Sequence, residues 1–97
     1  MDSTNLAWAI VGAILIDLGE NADIEIREVQ HCLSVYANGG VLVYLNIRQR
    51  HVSVDRPTKS KEHNSSCKQI AKVEKVRHIP IFLGRIKKLY LERYPQS

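Results

Sequence analysis

The chain has 97 residues, 44 % of them hydrophobic, and a formal net charge of +4. That length makes a single domain with a real core, and it excludes a large multi-domain enzyme. It also excludes a dinucleotide-binding fold, because none of the five glycines falls in a phosphate-cradling fingerprint. The net charge hides a split. Residues 1–47 hold one base, Arg27, against six acids, and residues 48–97 hold thirteen bases against four acids. Such asymmetry points to a polyanionic partner or to pairing between charge poles.

Ser3, Thr4 and Asn5 are N-cap candidates, and Leu6–Ile16 is an unbroken apolar run that Gly19 can stop. The segment reads as a helix, apolar all round. It can serve as a core helix or a self-association surface. A membrane-inserted helix is the weaker alternative, because a span needs about 20 apolar residues and Asp17 cuts the run short. Met1-Asp2-Ser3-Thr4-Asn5 has no basic n-region, which argues against a secretory signal. With only Cys32 and Cys67, the expectation is reduced thiols in a cytoplasmic setting, although one disulfide is compatible with the count.

Residues 20–37 fit both periods. Ile26, Val29, Leu33 and Tyr36 share a helical face, while Ile24 and Ile26 alternate with Glu25 and Arg27 as in a strand. A strand over 30–36 is preferred. Asn38-Gly39-Gly40 is a hairpin signal, since Asn and Gly tolerate positive φ, and the same residues could also cap a helix. Val41–Ile47 alternates clearly as a second strand. The apolar phase then moves from Val43, Leu45 and Ile47 to Val52 and Val54, so a turn or bulge at Arg48–His51 should precede a third strand over 52–55. A polar loop follows over 55–68. Ile70, Val73 and Val76 predict a helix over 69–77 with a stripe of Lys68, Lys72 and Lys75. Pro80 opens a second helix over 80–94, with Phe82, Leu83, Ile86, Leu89 and Tyr90 on its apolar stripe. The expected fold class is α+β: an N-terminal helix, a small antiparallel sheet of two or three strands, and two C-terminal helices. The helix–three-strand–helix order resembles double-stranded-RNA-binding domains in element order alone. No loop or helix motif of that family is present, and no residue is carried over from it.

The basic half carries the functional expectation. Arg48, Arg50 and His51 on a turn, Lys68, Lys72 and Lys75 on one helix, and Arg85, Lys87 and Lys88 on another could contact nucleic-acid backbone. The bland alternative is a set of solvated faces. Only six aromatics are present and none interleaves with the bases, so stacked single strands are not expected. His31, Cys32, His51, His63 and Cys67 are weak metal candidates, lacking the two tight ligand pairs of structural zinc sites. Ser65, Ser66 or Cys67 near His63 promise neither a fixed base nor an oxyanion site. Asp23, Glu25 and Glu28 read as a solvated acidic face. The Asn64-Ser65-Ser66 sequon carries no weight without secretion. The expectation is therefore a non-enzymatic binding module with no cofactor and no metal. The alternatives are a protein-binding or self-associating module, through Leu6–Ile16 or a sheet edge, or a membrane-surface protein.

Overall fold

The computed structural model describes residues 3–58 and 67–95. Helix α1 (Ser3–Leu18) comes first, followed by strands β1 (Ile24–Val29), β2 (Cys32–Ala37), β3 (Gly40–Ile47), β4 (Val52–Pro57) and β5 (Cys67–Val73). A single 3₁₀ turn (Val76–His78) leads into helix α2 (Ile79–Arg93). The strands form one antiparallel sheet in chain order, β1-β2-β3-β4-β5.

The sheet is larger than expected from the sequence, with five strands rather than two or three among the described residues. The first addition is β1. Its inward residues Ile24 and Ile26 are even-numbered, whereas Leu33 and Val35 of β2 are odd, so a turn must lie between. Gln30-His31 makes it, with His31 taking a positive φ of 57°. The second addition is β5, which replaces the expected helix over 69–77. Val54 pairs with Ala71 and Asp55 with Gln69, leaving Ile70 as the extra residue of a bulge. That bulge spoils the two-residue alternation and makes Ile70 and Val73 mimic a helical stripe. Val76, the third member of that stripe, is 42 % exposed. Both ends of the expected loop over 55–68 are strand instead, since β4 runs to Pro57 and β5 starts at Cys67. His63, Ser65, Ser66 and the sequon lie outside the described residues.

The two other turns follow the sequence reading. Asn38 (φ 53°) and Gly39 (φ 89°) form the two-residue loop between paired Ala37 and Gly40. Ile47 pairs with Val52, and Arg48 N–H donates to His51 C=O at 2.9 Å, closing the turn where the phase changes.

Both helices cover one face of the sheet. Leu6, Ala7, Ile10, Val11, Ile14 and Leu18 of α1 join Leu33, Val35, Val43, Leu45, Val52, Val54 and Val73 in one core. Phe82, Ile86 and Tyr90 of α2 complete it. The core stripe of α1 recurs every three or four residues and leaves Trp8, Leu15 and Ile16 outside. The helices run in the same direction. Ser3 Oγ donates to Gln49 C=O at 3.3 Å, placing the start of α1 by the β3–β4 turn. The 3₁₀ turn that opens α2 also contacts α1. At the opposite end, Tyr90 Oη donates to Asn21 C=O (3.0 Å) and accepts from Asn38 Nδ2 (3.3 Å). Tyr94 Oη donates there to Ala37 C=O at 3.1 Å. Asn38 thus supplies a positive φ and a side-chain clamp, its Oδ1 accepting from Asp23 N–H at 2.8 Å.

Candidate functional site

The charge split in sequence becomes a spatial one. Asp17 in the last turn of α1 and Glu20 and Asp23 just beyond it lie at the Asn38–Tyr90 end of the molecule. Arg48, Arg50 and His51 lie at the other end, with the start of α1 and with His31, whose C=O accepts from Ile47 N–H at 2.8 Å. Among the described residues, one ion pair joins the acidic segment to the basic half, Asp17–Lys87 at 4.0 Å. The other, Arg27–Glu25 at 3.4 Å, stays within β1. The acids do not blanket the bases.

The nine residues expected to act together are dispersed. Arg48, Arg50 and His51 occupy the β3–β4 turn. Lys68 and Lys72 do not share a stripe, because the bulge at Ile70 reverses the facing between them. Lys68 pairs with Arg56 and Lys72 with Ser53, on opposite faces of the sheet. Lys75 precedes the 3₁₀ turn. On α2, Lys87 turns to Asp17 and α1, while Arg85 and Lys88 turn to β5.

One place does gather cations. Between α2 and the β4–β5 pair runs a cleft of about 500 Å³ lined by Arg56, Pro57, Thr58, Leu89, Glu92 and Arg93. It is flanked by a smaller recess where Arg56, Arg85, Lys88 and Glu92 meet. Four cations thus face one carboxylate, and Lys68 lies beside Arg56 in register. Two of the guanidinium groups are braced. Arg85 Nη1 donates to Ile70 C=O at 2.6 Å, and Arg93 Nη1 donates to Val41 C=O. The third, Arg56, comes from the inward phase of β4 (Val52, Val54, Arg56), and its Nε is buried with no hydrogen-bond partner. A donor withheld from water and left unpaired is costly, so this edge of the cleft is chemically unsatisfied. Arg56 and Arg93 carried no signal in the sequence that set them apart from other bases. Only the pairing of β4 with β5 and the phase of α2 bring them together.

The opposite face of the sheet carries no helix among the described residues. Pairing places Arg27, Ser34, Tyr44, Asp55 and Gln69 in one row across it, with Tyr36 beside them. Asp55 is buried there. Its Oδ1 accepts from Ser53 Oγ at 2.8 Å and its Oδ2 from Asn46 Nδ2, while Ser53 Oγ accepts from Gln69 Nε2 at 2.8 Å. Both carboxylate oxygens are engaged, so this network ties β3, β4 and β5 together and offers no free acid or base. Arg27 stacks over Tyr36 at 4.4 Å from the ring centre. Burial pushes the Cys32 thiol and the Tyr44 phenol up from their ordinary values.

Cys32 and Cys67 are both free thiols. No group of three or more His, Cys, Asp or Glu side chains comes together among the described residues. No described helix is long and apolar enough to cross a membrane. The chain matches no family model, no curated protein and no solved structure.

Proposed function

We propose that this protein is a small, non-enzymatic binding module that holds nucleic-acid backbone in the cleft between α2 and the β4–β5 pair. The observation that carries the reading is the set of Arg56 and Arg93 on the cleft with Arg85 and Lys88 on the recess that adjoins it through Arg56, two of the four braced against backbone carbonyls and one with a buried, unpaired Nε. Guanidinium groups suit this task because their planar fork of donors matches two phosphate oxygens at once. Bracing lowers the entropy lost when they engage. The cleft lies along a helix and a strand and offers no aromatic ring, so it suits sugar–phosphate contacts rather than base reading.

The test is retardation of duplex and single-stranded DNA and RNA by the full chain at low salt. Binding that weakens steeply with salt and little with sequence is the expected result. No retardation of any of the four substrates would refute the reading. In this reading Arg48, Arg50, Lys72, Lys75 and Lys87, which stand apart from the cleft, make no phosphate contact of their own.

A further inference from the structure

The outer surface of the helix layer has a different character from the cleft. Trp8 is 43 % exposed, Leu15 44 % and Ile16 86 %, all on the side of α1 away from the core. Beside Ile16 runs a groove of about 480 Å³ lined by Ala13, Asp17, Leu83, Gly84 and Lys87. Two mid-helix glycines belong to this surface, Gly12 in α1 and Gly84 in α2. Nothing stands within 4 Å of where either Cβ would be, so no contact within the chain requires them. Glycine inside a helix costs about 1 kcal/mol relative to alanine. Close approach of another backbone would account for that cost.

We infer that this face pairs two copies of the chain, α1 against α1 in antiparallel orientation about a two-fold axis at Gly12. Charge selects both the partner and the direction. α1 has no acid in its first turn and no base in its last, the reverse of what the helix dipole favours, and Asp17 occupies that last turn. In the antiparallel pair each deficiency is met by the other copy. Glu20 comes opposite Thr4 of the second copy, next to the recess that Thr4 shares with Arg48 and His31. Trp8 comes opposite Ile16 of the second copy and enters the groove floored by Ala13 and Gly84. The contact is isologous, so each complementary pair occurs twice. A parallel pair would instead set Glu20 against Glu20 and one basic end against the other.

α1 is about 24 Å long, so a one-helix strip buries less than a standard interface, and the dimer should form in the micromolar range. The test is sedimentation of the full chain across that range at two salt concentrations, with emission from the sole tryptophan, Trp8, as a second readout. The expected result is a concentration-dependent dimer, weakened by salt, whose formation shifts Trp8 emission to shorter wavelength. Gly12→Gln should weaken it at least tenfold while leaving the melting temperature equal or higher, since the site is open within the monomer. Glu20→Lys should also weaken it, whereas a parallel pair would tighten. A chain that stays monomeric, whether or not it binds anionic vesicles, overturns the inference. So does a dimer indifferent to Gly12→Gln or tightened by Glu20→Lys. The phosphate cleft lies between α2 and the sheet, so either proposal can fail without the other.

Discussion

Replacing Lys88 by Gln separates the cleft from every other basic surface of the chain. Lys87 and Lys88 are neighbours in sequence, yet Lys87 faces Asp17 and α1 while Lys88 faces Arg56 and Arg85. If the four lining cations each neutralise one phosphate, the logarithm of affinity for duplex DNA should fall against the logarithm of salt with a slope of about −3.6. Between 50 and 200 mM salt that amounts to a loss of about 150-fold. Lys88→Gln should reduce the slope to about −2.7 and weaken binding to all sequences alike. Lys87→Gln and Arg48→Gln should leave the slope unchanged. Fluorescence anisotropy of a labelled duplex across a salt series reads all four proteins. A slope that drops equally for Lys87→Gln and Lys88→Gln would refute the cleft, because the charge would then act as a diffuse field.

Two further outcomes probe the fold. His31 holds a left-handed backbone conformation that costs a side-chain-bearing residue about 1 kcal/mol, so His31→Gly should raise the melting temperature by about 4 °C in calorimetry. An unchanged or lower value would mean that the imidazole makes a compensating contact. Burial raises the pKa of Cys32 in the folded chain, so its neutral form is favoured by folding. That contribution is complete below the unfolded thiol pKa and is lost as pH rises through the higher folded value. Stability measured by urea should therefore fall above about pH 8.5, and less so in Cys32→Ser. Half-buried Tyr44 adds a decline of the same sign at higher pH.

The legible parts of the fold were those where one period governs a whole segment. α1, β3 and α2 show this, and Asn38-Gly39 announced its hairpin by chemistry. The phase argument that located the turn at Arg48–His51 applies equally to Gln30-His31. There it was obscured because neither residue is a usual turn former and a helical stripe ran through the same positions. β5 was misread for a sharper reason. A bulge adds one residue, and two residues of alternation plus one of slip imitate the three-residue step of a helix. The candidate site inherited that error. Lys68 and Lys72 look like one stripe on a helix, but on a bulged strand they part to opposite faces. Arg56 was passed over because its inward phase is visible only once β4 is known to extend to Pro57.

The strand order carries a consequence for how the chain becomes folded. Every strand pairs with its neighbour in sequence, so the sheet can assemble hairpin by hairpin, and from β1 to β4 the loop closures are short. The helices cannot do the same. α1 leaves the ribosome before the sheet does, yet what it packs on, β3, β4, the 3₁₀ turn and α2, lies downstream, the last of these beginning about 60 residues away. At a synthesis rate of about 5–20 residues per second, the apolar run Leu6–Ile16 waits several seconds for the last of the elements that bury it. A strongly hydrophobic segment is thus made well before the elements that bury it.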